Sequence, residues 1–184
     1  VIPSKVALLL LILSLPASLF AQLEIAPRPS PMAVTSCRYK DNYVKITYCQ
    51  PHKRGREIFG SLVPFGQVWR TGANEATEIL LTRDIEINGV TLKAGSYSIF
   101  SIPEKDKWTI IFNADLSLWG SYNYNSKMDV LRVEAPTEKL TSVVYEPFTI
   151  SLDSKNDKAD LVFQWDKTKV TLSLKFKESK TSGN

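Results

Sequence analysis

The sequence predicts an all-β protein, a two-sheet antiparallel β-sandwich of jelly-roll type with about ten strands, and a closed barrel is the alternative architecture. Three observations carry this. Helical periodicity is nearly absent after an apolar leader, while short runs rich in Val, Ile, Thr, Tyr, Phe and Trp recur between turn residues. Leu161, Phe163 and Trp165 alternate with Val162, Gln164 and Asp166, and Val170, Leu172, Leu174 and Phe176 alternate with Thr171, Ser173 and Lys175, so each segment has one face to bury. Asn88-Gly89, between Ile85-Glu86-Ile87 and Val90-Thr91-Leu92, is the composition of a type I′ hairpin turn.

The leader comes first. Val6 to Leu15 is apolar except for Ser14, follows Lys5, and leads to Ala21, the small residue expected before a cleaved bond. The run is too short to cross a bilayer as a helix. Residues 1–21 are therefore expected to be a signal peptide, and residues 22–184 a single β-sandwich domain in the periplasm or outside the cell, with no membrane span after cleavage.

Strands are expected next at Val34 to Tyr39 and Tyr43 to Cys49. A turn at Asp41-Asn42 sets Cys37 opposite Ile46 and directs Cys49 to the other face. Two cysteines in an exported chain invite a disulfide. This register separates them and a longer loop would bring them together, so the pairing stays open. Further strands are expected at Ala76 to Thr82, the Ile85 to Leu92 hairpin, Tyr97 to Ile102 with its stop at Pro103, and Trp108 to Phe112. The rest are Val130 to Glu134, Thr141 to Tyr145 with Phe148 to Leu152, Ala159 to Trp165, and Val170 to Phe176, before a frayed tail from Glu178 to Asn184. Pro51 to Asn74 and Asp115 to Lys127, rich in Gly, Pro, Asn and aromatics, read as irregular loops that a scaffold can aim at a ligand.

Composition narrows the function. With 43% hydrophobic and 23% charged residues the chain is neither disordered nor membrane-embedded. The net charge of +4 is spread out, with His52 to Arg56 as the one basic block, so nucleic acid is not an expected partner. A single histidine, His52, leaves no multi-histidine metal site and makes any nucleophile–His arrangement hang on one loop residue. P-loop, dinucleotide and Gly-x-Ser-x-Gly motifs are missing, and neither metal nor cofactor is expected.

The stretch Lys53-Arg54-Gly55-Arg56-Glu57-Ile58-Phe59-Gly60-Ser61-Leu62-Val63-Pro64-Phe65-Gly66-Gln67-Val68-Trp69-Arg70-Thr71-Gly72-Ala73-Asn74-Glu75-Ala76-Thr77 resembles the bacterial domain-of-unknown-function family DUF2911. So do Leu92 to Ser98, Trp108 to Asn113, Trp119-Gly120 and Asp129 to Val133, and the resemblance spans Ser30 to Phe176. It implies an exported bacterial protein and supplies no reaction. Members often carry Arg-Pro where this chain has Gln50-Pro51, which puts an anion-binding role at that position in doubt, and the two cysteines lie outside the family pattern.

Arg54, Arg56 and Arg70, with Thr71, Asn74 and Glu75, form the strongest polar cluster. Guanidinium groups bind carboxylate or phosphate bidentately, and a Gly-containing turn aims backbone N–H groups at the same ligand. The structural alternative is that Arg70 pairs with Glu75 or Asp84 and ties the loop to the sheet. Trp69, Trp119, Tyr122 and Tyr124 offer flat surfaces for sugar rings, or core residues with one polar atom satisfied. Glycoside hydrolysis needs only two carboxylates, for which Glu57, Glu75, Glu78, Asp115 and Asp129 are candidates with no spacing that selects a pair. The reading is a binding or accessory module for a small anionic or carbohydrate ligand at the Arg54 to Glu75 loop. A glycan hydrolase and a purely structural domain with a protein partner in the envelope are its rivals.

Overall fold

β-Rich runs with one apolar face each must find neighbours, and here they find them in one sheet. The computed structural model describes residues 26–177; the leader expected at 1–21 and the tail expected from Glu178 to Asn184 lie outside the described residues. The strands are β1 (Met32–Tyr39), β2 (Asn42–Cys49), β3 (Thr77–Leu81), β4 (Ile85–Ile87), β5 (Val90–Leu92), β6 (Gly95–Pro103), β7 (Lys107–Asn113), β8 (Asp129–Lys139), β9 (Tyr145–Lys155), β10 (Lys158–Asp166) and β11 (Thr168–Phe176). The only helical element among the described residues is a 3-10 turn at Ser126–Met128. No helix among them is long and apolar enough to cross a membrane.

All strands pair antiparallel, in the order β1-β2-β3-β6-β7-β8-β11-β10-β9, with the β4–β5 hairpin attached to β11. The corner is β8. Its residues from Asp129 to Pro136 pair with β7, and Thr137–Lys139 pair with β11. Pro136, which has no N–H to give, sits where the partner changes. The two expected layers are thus two parts of one sheet that curls until β9 lies beside β1, nearly closing a barrel.

The interior is aromatic. Trp108 and Trp165 are buried with Phe148 and Phe163, and Trp69 stacks on Trp165 with ring centroids 5.9 Å apart. Trp69 comes from the irregular segment after β2, whose Ile58 and Val63 are also in the core, so this loop is packed into the interior. Burying such side chains stabilises the fold by about 1.5–3 kcal/mol each. A smaller cluster of Ala76, Phe100 and Ile111 is roofed on the outer face by Leu118 and Tyr124 of the second irregular segment.

Asn88 and Gly89 both have positive φ (49° and 81°) and join Ile87 to its partner Val90, the expected hairpin. The first turn differs. Lys40 and Asp41 form it, with Lys40 at φ 50° and Tyr39 opposite Asn42, because the buried Asn42 amide donates to the Lys177 carbonyl at 3.2 Å and holds Asn42 in the ladder. Cys37 therefore faces Val44 instead of Ile46, while Cys49 faces Met32 on the opposite side of the sheet; both cysteines are free and buried. Thr141 to Val144 is not a strand. The Leu140 N–H bonds to the Lys167 carbonyl where the β8–β11 ladder ends, and Val143 and Val144 are exposed, β-forming residues with no face to cover.

Candidate functional site

Most of the polar motif after β2 is spent on backbone. Trp69 and Ser101 exchange both main-chain hydrogen bonds, at 2.7 and 2.9 Å, and the Trp69 indole N–H donates to the Gly72 carbonyl at 3.0 Å. Thr71 and Asn74 hold left-handed backbone (φ 53° and 56°). The buried Thr71 hydroxyl meets Ser101 Oγ at 3.0 Å, and Thr77 Oγ1 donates to the Thr71 carbonyl at 2.6 Å. Asn74 donates from its side chain to the Ser30 carbonyl at 3.2 Å and accepts the Gly120 N–H at its carbonyl at 2.9 Å.

The arginines do similar work. Arg54 donates to the Pro29 carbonyl at 3.0 Å, and Arg56 to the Lys53 and His52 carbonyls at 3.0 and 2.6 Å. The expected partners of Arg70 are taken: Glu75 pairs with Arg28 at 2.8 Å and Asp84 with Lys93 at 2.9 Å. Arg70 Nε is buried without a hydrogen-bond partner among the described residues.

Glu75 is where the motif reaches open space. Its backbone pairs with Trp119, flanked by the Gly120 bond to Asn74 and the Ala76 N–H bond to the Leu118 carbonyl at 2.8 Å. Beside it lies a cleft of about 240 Å³ whose walls include Met32, Thr47, Cys49, Glu78 and Ser117. The Arg28 guanidinium, donating to both carboxylate oxygens, holds the Glu75 carboxyl below its ordinary range. Burial pushes the Cys49 thiol up, so it stays protonated and reaches Glu75 Oε2 at 3.4 Å. Glu78 accepts the Ser117 N–H at 2.7 Å. Of the carboxylates singled out from sequence, Glu75 and Glu78 thus share one cleft, whereas Asp129 belongs to a separate network and Glu57 is exposed on the loop.

That network braces the second irregular segment. Buried Asn113 donates to Asp129 Oδ1 at 2.8 Å and to the Asn125 carbonyl at 2.9 Å, and accepts the Asp115 N–H. Tyr124 donates to Asp129 Oδ2 at 2.6 Å, and Arg132 donates to the same oxygen at 2.8 Å and to the Tyr124 hydroxyl at 2.7 Å. Burial, then the bond to Asp129, pushes the Tyr124 phenol up to about 12. Its ring packs edge-on against Phe100. Trp119 and Tyr122 do not join this packing: they are 57% and 83% exposed on a loop anchored at both ends.

The arrangement offers a cleft with two carboxylates, hydroxyls and apolar walls, and the loop that lends it Ser117 also carries the exposed indole of Trp119 and phenol of Tyr122. No group of three or more His, Cys, Asp or Glu among the described residues is placed to hold a metal. Met32, Thr47 and Ser117 carry no signal in the sequence and Cys49 stands out there only as a disulfide candidate, since the register of β1, β2 and β3 and the path of the 115–128 loop bring them together. A family model described as a protein of unknown function (DUF2911) matches residues 30–174. No curated protein and no solved structure matches the chain.

Proposed function

The chain belongs to the DUF2911 family, and from that footing we propose that it is an exported binding module whose cleft beside Glu75 takes a carbohydrate. The observation that carries this reading is the exposure of Trp119 (57%) and Tyr122 (83%) on the braced loop that lends Ser117 to the cleft wall and pairs Trp119 with Glu75. Large aromatic side chains left in water at a rigid site give up little entropy on stacking against the apolar face of a sugar. Glu75, Glu78, Thr47 and Ser117 supply acceptors and hydroxyls for a ring of hydroxyl groups. Two carboxylates at the mouth favour this ligand over an anionic one, since Arg54 and Arg56 already bond to backbone carbonyls. The apolar leader Val6 to Leu15 supports delivery to the periplasm or beyond.

A thermal-shift screen against glycans, peptidoglycan fragments, nucleotides and organic anions tests it, with Trp119→Ala alongside. A ligand that binds only the folded chain stabilises it by about 2.7 kcal/mol at a hundred times its dissociation constant. Stabilisation by glycans that Trp119→Ala loses is the expected result; stabilisation by anions alone, or by nothing, would overturn it. The shared cleft of Glu75 and Glu78 favours a second reading, hydrolysis of the bound glycan by that carboxylate pair. Reducing-end release that vanishes in Glu78→Gln would establish it, and an intact glycan after prolonged incubation would leave binding alone.

A further inference from the structure

We propose that the cleft continues over Thr47 and Glu78 into a groove along β2 and β3 built for a linear glycan bound over more than one sugar unit; this rests on the carbohydrate reading above. Thr47 and Glu78 are direct cross-strand partners on β2 and β3. They line the cleft beside Glu75 and also a second depression, of about 150 Å³, lined by Lys45, Leu80 and Ser96. Two residues on, the next pairs on the same face are Lys45 with Leu80 and Leu80 with Ser96, so the floor crosses β2, β3 and β6.

The fold explains why this strip of sheet is open. The 115–128 segment roofs Phe100 and Ile111 on the outer face of β6 and β7, and Ser117, bonded to Glu78, marks the edge of that roof. Beyond it Lys45, Thr47, Glu78 and Leu80, on the outward faces of β2 and β3, are half-buried side by side around the second depression. Lys45 and Cys49 are four residues apart on one strand, a run of roughly 13 Å. That exceeds the length of one sugar ring.

Chemistry decides the occupant. The backbone groups of β2 and β3 are consumed by their ladders to β1, to each other and to β6. An extended peptide draws its affinity from free main-chain groups at a sheet edge, and this face offers none. A glycan needs side-chain acceptors and donors spaced between apolar patches. The groove presents them in turn: Met32, Glu75, Thr47 with Glu78, then Leu80 with Lys45, and Ser96 at the far end.

Titration calorimetry of the mature chain with linear cello-oligosaccharides and β-1,4-linked N-acetylglucosamine oligomers, from disaccharide to hexasaccharide, tests this beside Ser96→Trp. Ser96 is exposed on β6, so the indole fills the far subsite without disturbing the core. In the wild type, affinity for one of the series should rise at least about tenfold with length. Ser96→Trp should change the rise, by blocking the far subsite or by stacking on the sugar in it, and leave disaccharide affinity unchanged. Binding that is independent of length, or a rise that Ser96→Trp leaves as it was, overturns the groove and leaves the Glu75 cleft standing. Failure of every oligosaccharide, or binding of an extended peptide in their place, overturns both.

Discussion

The Tyr48 hydroxyl accepts a hydrogen bond from the Ile150 N–H at 3.0 Å and donates one to the Ile150 carbonyl at 3.4 Å, so one side chain of β2 does for β9 what a neighbouring strand would do. Beside it the Gln50 amide donates to the Phe148 carbonyl at 3.3 Å and to the Tyr48 hydroxyl at 3.2 Å. These contacts close the barrel where β1 and β9 lie side by side with no ladder between them among the described residues. Burial raises the Tyr48 phenol above its ordinary value and keeps its proton in place to donate.

Tyr48→Phe keeps the ring and strands both Ile150 backbone groups in a buried site. The expected cost is about 1–3 kcal/mol in urea denaturation. The Ile150 amide should also exchange faster with solvent than its neighbours on β10. Equal stability and equal protection would mean that packing alone closes the seam.

The phenol of Tyr124 gives a second handle. Its folded-state value, about 12, lies above the ordinary 10.0, so the folded chain holds a proton that the unfolded chain releases first. The stabilisation is complete below pH 10 and is lost as pH rises from 10 toward about 12. Tyrosinate absorbance of Tyr124→Phe should lack one group that in the native protein titrates near the upper end of that window. That variant should lose stability at neutral pH and less of what remains on going alkaline; parallel curves for the two proteins would refute the assignment.

What was legible in the sequence was local. Alternation at Leu161 to Trp165 and Val170 to Phe176, and Asn88-Gly89 in its hairpin, depend on residues close along the chain, and each is found where expected. The turn at Lys40-Asp41 was not legible, because Asn42 is drawn into the ladder by a carbonyl at residue 177. Arg70 drew attention as a guanidinium beside two carboxylates in sequence, yet Glu75 is paired from residue 28 and Asp84 from residue 93. Parity survived the register shift: a slip that moves the partner of Cys37 from Ile46 to Val44 leaves Cys37 and Cys49 on opposite faces, which is why no disulfide joins them. The cleft combines β1, β2, β3 and a loop, and only Glu75 and Glu78 were visible as candidate carboxylates beforehand.

Glu75 sets the behaviour on the acid side. Its carboxyl is held below the ordinary 4.5, first by the bond from Arg28, so the pair contributes stability above that value and loses it as pH falls through the depressed folded-state value. Both side chains are well exposed, so the contribution is small and screened by salt. Glu75→Gln should leave the melting temperature nearly unchanged at neutral pH in high salt, and differences from the wild type should be confined to low ionic strength. A large loss of stability in high salt would assign Glu75 a role in the fold beyond this ion pair.

Gly72 and Trp119 separate architecture from recognition. A Cβ at position 72 would stand 3.0 Å from the Cys49 carbonyl and 3.2 Å from Thr77 Oγ1, and the nearer contact is backbone of β2 that cannot swing aside. Gly72→Ala should therefore cost about 1–3 kcal/mol, the usual penalty for crowding a packed site, read as an earlier urea midpoint with an unchanged slope. Trp119 has more than half its surface in water, so Trp119→Ala should move stability by no more than about 0.5 kcal/mol. If Trp119→Ala unfolds early, its indole is part of the fold and the carbohydrate reading loses its main support. If it folds as the wild type does and the glycan-induced thermal shift disappears, the exposed ring is held out for the ligand, and the Trp69-to-Asn74 motif, whose Asn74 carbonyl accepts the Gly120 N–H, is part of the scaffold that holds it there.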